Sequence, residues 1–379
     1  MSRQGPVGVG VVGCGNISNE YLTTMAGVPD LHLVGVADLE RSRAEAQAAK
    51  YGVGFAGGTA ELLARDDVEL IVNLTIPAVH AEVGRQAIAA GKHVWTEKPI
   101  ATLRASARAL LDAADAAGLV VGCAPDTVLG PGIQAARRLV ERGEIGTPLV
   151  ALALMQNPGP DLWHPDPAFL YAAGAGPLFD LGPYYLTALV LLLGSVTRVA
   201  ALGTRSRHTR VVGKGPRAGT AFPVEVPTHV AALAEFESGA TATIVLTFES
   251  PLQRSLVEIT GSDATLEVTD PNEFGGDLRI VRAGHTRRRV VHADATGLGR
   301  GLGVLDMARA IRAGREPRAS GALGYHVLDV MVAISEAIGS GQPHLVESRV
   351  ERPPVAPVDW AASELTLSGP GPGPRARSA

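Results

Sequence analysis

The feature that most restricts the fold is a glycine-rich loop, Gly13-Cys14-Gly15-Asn16-Ile17-Ser18. It sits between an apolar strand over Val7 to Val12 and a helix over about 16–27. Gly13 allows a sharp turn after the strand, and Gly15 lets the backbone come close to a bound group. The helix that follows offers free N–H groups and a partial positive charge to an anion. The next strand, Leu31 to Ala37, ends in Asp38. An acid there, about twenty residues past the loop, can bind ribose hydroxyls. Together, strand, loop, helix and acid predict a dinucleotide site, whereas a lone G-x-G would be weak evidence. The sixth loop position is Ser18, where many such loops have Gly or Ala, and a small side chain still permits close packing.

The alternation continues along the chain. Arg41 to Tyr51 reads as a helix stopped by Gly52, and Thr59 to Arg65 as a short helix. Leu70 to Leu74 is a strand, Val79 to Ala90 a helix ended by Gly91, and His93 to Trp95 a strand. Leu103 to Ala117 is a helix ended by Gly118, before a last strand over Leu119 to Gly122. βαβ units at this spacing mean a parallel sheet, and right-handed crossovers bring its loops to one edge.

After about residue 125 the texture changes. A helix over Gly132 to Arg142 precedes apolar runs at Leu149–Met155, Val196–Leu202, Val230–Phe236, Ala240–Phe248, Ser255–Thr260, Thr265–Val268 and Leu278–Val281. Thr241, Thr243 and Val245 alternate with Ala242, Ile244 and Leu246, the period of a half-buried strand. Such runs predict a mostly antiparallel sheet, closed by helices at about 301–313 and 324–339. The expected fold class is α/β: a Rossmann domain over 1–125, an α+β domain over 126–350, and a C-terminal extension over 351–379. The Gly/Pro-rich end at 365–379 is expected to be disordered.

Composition narrows the partners. Charged residues make up 19 % of the chain and the net charge is −4, which argues against nucleic acid or an anionic membrane surface. The longest apolar run, Tyr184 to Leu193, is too short to span a bilayer. Cys14 and Cys123, the two cysteines, supply neither a disulfide framework nor a four-cysteine metal site. With no charged-then-apolar leader, a cytoplasmic location is expected.

Thr96-Glu97-Lys98-Pro99 puts an ammonium group on a stiff turn at the edge where open α/β sheets bind ligands. A lysine there can exchange a proton with a carbinol oxygen while hydride moves to or from a nicotinamide; standing alone, it would read as a solvated surface residue. Asp38 favours NAD, because a 2′-phosphate would be repelled, while Arg41 and Arg43 could offset this and admit NADP. Thr75-Ile76-Pro77 is expected to pass under the cofactor, with His80 touching ribose or substrate or else capping the helix that begins there. Asp126 and Thr127 are expected at the nicotinamide end, or in an ordinary interdomain turn.

Asp180 and Tyr184 are four apart, so on one helical turn they share a face. Beside Lys98 they would form a proton-transfer group. Tyr serves if the ammonium lowers its pKa, and Lys serves if burial lowers its own. Separately, Asp180 is as well read as a cap and Tyr184 as a core aromatic. Trp163 and His164 are expected to line the substrate pocket, the indole stacking on a C–H face. Asp161, His164 and Asp166 in one Pro-rich loop are too little for a metal, and none is expected. Arg205, Arg207, Arg210, Lys214 and Arg217, and the shorter Arg287–Arg289 cluster, read as solvated hairpin loops, with a phosphorylated substrate as the minority view.

In order, the G-x-G loop, the Thr75–His80 loop, Gly91-Lys92-His93-Val94 leading to Glu97-Lys98-Pro99, and Asp180-x-Gly182-x-Tyr184 resemble the Gfo/Idh/MocA family over roughly residues 5–345. The name joins glucose–fructose oxidoreductase, inositol dehydrogenase and rhizopine catabolism. The resemblance implies a large open sheet in the second domain, used for homo-oligomer contacts (dimer or tetramer), and NAD(P)-dependent chemistry on sugars, cyclitols or related polyols. It implies a catalytic Lys98, with Asp180 and Tyr184 in the substrate site. Gly13, Gly15, Asn16, Ile17, Asp38, Thr75, Ile76, Pro77, His80, Glu97, Lys98 and Asp126 are the expected cofactor residues. Many members have His at the last position; Tyr184 here resembles the glucose–fructose oxidoreductase and dihydrodiol dehydrogenase branches. Three glycines usual before it become Gly174-Ala175-Gly176. Two alternatives are an NAD-dependent glycosidase working by transient oxidation and a catalytically silent dinucleotide sensor.

Overall fold

Every side chain of Val7–Val12 (β1) is buried, as a parallel strand covered on both faces requires. The computed structural model describes residues 4–358 and 360–363. In it β1 is followed by β2 (Leu31–Ala37), β3 (Phe55–Gly57), β4 (Leu70–Asn73), β5 (His93–Thr96) and β6 (Val121–Cys123). These form one parallel sheet in the order β3-β2-β1-β4-β5-β6. The crossovers are α1 (Ser18–Met25), α2 (Arg41–Tyr51), α3 (Thr59–Leu63), α4 (His80–Ala89) and α5 (Arg104–Ala117). This is the Rossmann order, with its switch point between β1 and β4. Only β3 escaped the sequence pattern, since Phe55-Ala56-Gly57 is short and lacks the run of branched apolar residues that marks the other strands.

The second unit runs α6 (Pro131–Glu141), β7 (Pro148–Gln156), α7 (Gly176–Asp180), α8 (Gly182–Leu193), β8 (Val196–Thr204), β9 (Thr209–Val211), β10 (Ala221–Pro223), β11 (His229–Phe236) and β12 (Thr241–Thr247). β13 (Arg254–Gly261), β14 (Ala264–Val268), β15 (Gly276–Arg282), β16 (Arg288–Ala293), α9 (Leu302–Ala313), α10 (Gly321–Ser340) and β17 (His344–Leu345) follow. Nine strands make an open sheet in the order β16-β15-β14-β13-β7-β12-β11-β8-β17, in which only β7 and β12 pair in parallel. The Arg287–Arg289 segment is therefore not simply a solvated loop: Arg288 and Arg289 begin edge strand β16.

The two units are stitched together late in the chain. α9 packs on β5, β6 and α1, and α10 on β6, α5, α8 and β8. Cys123 donates its N–H to the Ala319 carbonyl at 3.0 Å. The α9–α10 region thus belongs to the first sheet as much as to the second. α10 is long and apolar enough to cross a membrane by length and composition, yet most of it is buried against these elements. The start of the extension also packs: Ala356 N–H donates to Gln134 Oε1 at 2.7 Å, and buried Trp360 donates to the Leu129 carbonyl at 3.2 Å. The tail expected over 365–379 lies outside the described residues.

Trp95 on β5 is fully buried in a slot made by two glycines. A Cβ at Gly122 would lie 2.6 Å from its ring, and one at Gly303 2.0 Å. The indole donates to the Tyr21 hydroxyl at 3.2 Å, and Tyr21 donates to Glu97 at 2.6 Å, so this slot sets the turn that carries Lys98. We expect Gly303→Ala to destabilise the fold, overpacking of about 1–3 kcal/mol outweighing about 1 kcal/mol of helix propensity. In a Trp95→Leu background the same change is expected to stabilise. Urea unfolding of the four variants measures the sign reversal.

Candidate active site

The loop after β1 folds as its glycines allow. Gly13 has φ +100°, and a Cβ there would lie 2.7 Å from the Leu74 carbonyl group, so only glycine brings the loop against the end of β4. A Cβ at Gly15 would meet nothing within 4 Å, which leaves room above the loop. The N–H groups of Gly15, Asn16 and Ile17 have no protein acceptor among the described residues. Ser18 is fully buried, its hydroxyl donating to the Gly15 carbonyl at 2.6 Å. The Asp38 carboxylate accepts the Cys14 N–H at 2.7 Å and the Glu40 N–H at 2.9 Å, which fixes it at the loop's edge. Open space, free amides and a fixed acid fit a dinucleotide. Arg41 pairs with Glu45 at 3.3 Å and Arg43 with Glu40 at 2.9 Å.

Across the sheet edge, the Thr75 hydroxyl donates to Asn73 at 2.6 Å, and Ile76 stands exposed. His80 does neither of the things expected of it. It is buried, with Nδ1 2.7 Å from the Pro99 carbonyl and Nε2 2.9 Å from the Thr75 carbonyl. It ties the Thr75 loop to the Lys98 turn, and burial pulls its pKa below the usual imidazole value. Glu97 turns inward, accepting from Tyr21 and from the Lys98 N–H at 3.1 Å.

Lys98 reaches across to the second unit. Its Nζ donates to the Asp180 carbonyl at 2.6 Å and to Asp180 Oδ1 at 2.9 Å, and lies 5.1 Å from the centre of the Tyr184 ring. Asp180 and Tyr184 do not share one helical turn as expected. Asp180 ends α7 and Tyr184 lies in the first turn of α8, and the break at Leu181 still leaves both beside Lys98. The Tyr184 hydroxyl has no hydrogen-bond partner among the described residues. Burial would pull Lys98 down, but Asp180, Tyr184 and Glu97 more than offset it and hold the ammonium above its usual range. Burial also pushes the Tyr184 phenol up, opposed by Lys98 and Arg300. The resting pair is an ammonium and a neutral phenol; burial does not lower the lysine as the sequence reading allowed.

The Asp126 side chain turns inward. It is fully buried, and its Oδ2 accepts the Gly301 N–H at 2.7 Å and the Gly303 N–H at 3.2 Å at the start of α9. Trp163 is 62 % exposed and meets His164 edge-on at 5.5 Å. The loop behind them hangs on Arg210, which is buried rather than solvated. Arg210 donates to Asp161 at 2.8 Å and to the Pro158 and Phe248 carbonyls at 2.9 and 2.7 Å, while Tyr171 also bonds Asp161. Asp166 points outward to Arg217 at 2.6 Å, so Asp161 and Asp166 diverge rather than converge with His164.

Residues 7–124 match the model of an oxidoreductase family with an NAD-binding Rossmann fold, and 133–267 match the C-terminal domain of the same Gfo/Idh/MocA family. The chain belongs to the Gfo/Idh/MocA family. It is an NAD(P)-dependent oxidoreductase. It is 34 % identical over 206 residues to a dTDP-3,4-didehydro-2,6-dideoxy-alpha-D-glucose 3-reductase of Streptomyces violaceoruber, a match spanning 54 % of this chain and 59 % of that one. A Saccharopolyspora spinosa enzyme of the same name is 28 % identical over 89 % of this chain and 98 % of its own. The structure of a levoglucosan dehydrogenase in complex with NADH and L-sorbose superimposes with TM-score 0.79 at 22 % identity, over 91 % of this chain and all of that one, a likeness of fold.

Sequence reasoning missed Arg300 in this family member. It lies in the loop before α9, its guanidinium 5.2 Å from the Tyr184 ring centre and 3.7 Å from Asp126 Oδ1. A Gly-rich loop far from every recognised motif gave no signal for it.

Burial is the main reason the Asp126 carboxyl is pushed up to about 6, against the pull of Arg300 and two backbone N–H groups. A carboxyl harder to ionise folded than unfolded weakens the fold as it ionises. Its contribution is full below the unfolded value of 3.8 and lost as pH rises through about 6. Asp126→Asn, which keeps an oxygen for both amides, is expected to remove that downward slope. Urea midpoints across this pH range test it.

Proposed function

We propose that this oxidoreductase works with NAD on a sugar, cyclitol or related polyol and its keto-sugar counterpart, with Tyr184 and Lys98 as its proton-transfer pair. The observation that carries the proposal is the Lys98 ammonium, bonded to Asp180 and set 5.1 Å from the ring of a tyrosine whose hydroxyl is free to meet a ligand. Ammonium and neutral phenol form the protonation state that reduction of a carbonyl requires. Tyr184 gives its proton to the developing alkoxide, Lys98 stabilises the phenolate left behind, and Asp180 orients the ammonium. In the oxidative direction the same groups run in reverse. A bound nicotinamide supplies or accepts the hydride. Gly13, Gly15, Asn16, Ile17, Asp38, Thr75, Ile76 and Pro77 would hold the dinucleotide.

Asp38 favours NAD over NADP, since Arg41 and Arg43 are engaged by glutamates. The relatives named for reducing a dTDP-linked keto-sugar support the reductive direction. The pairing of Arg210 and Arg217 inside their own loop region removes the main support for a phosphate site there. Two buried free cysteines fit a cytoplasmic location. We expect Lys98→Met to bind NADH normally and lose about 10²–10⁴-fold in turnover of keto-sugars, with Tyr184→Phe losing a similar factor. Fluorescence titration with NADH and turnover of a keto-sugar panel measure both; near-normal turnover in Lys98→Met would remove that residue from the mechanism.

We also read the open face of the large sheet as a contact between copies of the chain. Across it run Leu202, Ala231, Val245 and Leu154 in one row, and Ala200, Leu233, Thr243 and Leu152 in the next. Leu202 and Leu233 are well exposed, and the Arg198–Glu235 ion pair marks the rim. An apolar centre with a charged border is the make-up of a subunit interface. Leu233→Arg is expected to yield monomers in sedimentation velocity while keeping the circular dichroism of the parent.

A further inference from the structure

Tyr184 lies between more charges than the proposed chemistry uses. Lys98 reaches it from the first unit and Arg300 from the loop before α9, at 5.1 and 5.2 Å from its ring centre. Asp180 and Glu97 are the acidic groups facing it. Arg300 is held in place from several sides. Its Nη2 donates to Asn272 Oδ1 at 2.8 Å, and its guanidinium lies 5.8 Å from the Phe274 ring centre. Asp126 clamps the backbone on its C-terminal side through the Gly301 and Gly303 amides, and its other oxygen lies 3.7 Å from Arg300 Nη1. That oxygen is buried with no hydrogen-bond partner among the described residues. The guanidinium remains 17 % exposed.

We propose that Arg300 is a positioning residue for Tyr184, a second cation beside the ring that works with Lys98 to ready the phenol for proton transfer, with Asp126 and Asn272 as its mounts. The inference rests on Tyr184 being the proton donor. The physical reason is direct. Each cation favours the anionic form of the phenol, while Asp180, Glu97 and desolvation favour the neutral form. Lys98 is largely engaged by Asp180, a full hydrogen-bonded partner, whereas Asp126 stays at 3.7 Å from Arg300. Lys98 exerts the larger pull on the ring and Arg300 the next, so the two cations act together. A phenol with one cation would be a weaker acid toward the substrate oxygen, and turnover would fall without any loss of cofactor binding.

The test uses the full-length protein carrying tyrosine labelled with ¹³C at the ζ carbon, with Tyr184→Phe to assign the Tyr184 signal. In Arg300→Gln the Tyr184 ionisation is expected to move up by about one pH unit or more. Arg300→Lys is expected to restore it in large part, and Asn272→Ala, which frees the guanidinium without removing its charge, to give a smaller upward shift. Keto-sugar turnover in Arg300→Gln is expected to fall about tenfold, with NADH affinity unchanged. An ionisation unmoved in Arg300→Gln, or moved equally in Arg300→Gln and Arg300→Lys, overturns the assignment. An upward shift with undiminished turnover leaves Arg300 as the cation that poises this ring and removes Tyr184 from the chemistry instead. Should Arg300→Gln fail to fold, the Asn272→Ala titration decides alone.

Discussion

The bond from Lys98 to Asp180 joins the edge of the parallel sheet to the helix break beneath the large sheet, and the proposed chemistry depends on it. An ion pair largely removed from water is a poor device for stability, because desolvation consumes most of the Coulomb gain. Breaking such a pair from one side costs about 3–5 kcal/mol when fully buried, and less here, since both partners keep some access to water. Its better explanation is geometric. It fixes an ammonium beside a phenol, and the two protonation states then follow from burial and charge.

That geometry was partly legible in the residues. The βαβ alternation and the G-x-G loop foretold the first sheet almost strand for strand, because a buried parallel strand leaves a long apolar run. Lys98, Asp180 and Tyr184 could be named because each lies in a short motif. Their arrangement could not, because the break at Leu181 depends on packing that no local pattern records. Asp126 and His80 show the limit most clearly. Both are polar residues at the expected edge, and both face inward, one to the amides at the start of α9 and the other to two carbonyls. Composition cannot distinguish a polar side chain aimed at a ligand from one aimed at backbone.

Arg210 teaches the same lesson in reverse. A cluster of arginines in a Gly-rich stretch reads as solvated charge, yet this one is the buried hub of a loop, bonded to two carboxylates and two carbonyls. Short elements such as β9, β10, β16 and β17 were lost for want of length or because charge obscured their period. The late return of α9 and α10 to the first sheet also escaped, since nothing in a helix's own pattern names the surface it will cover.

The loop hung on Arg210 separates two jobs in space. Its root is cemented by Asp161 and Tyr171, while its tip presents Leu162, Trp163 and Phe169 to solvent. Replacing a tip residue leaves the root untouched, so the tip can be rewritten one side chain at a time without disturbing its anchor. Such a division lets the outer surface of the loop drift freely while its foundation stays put.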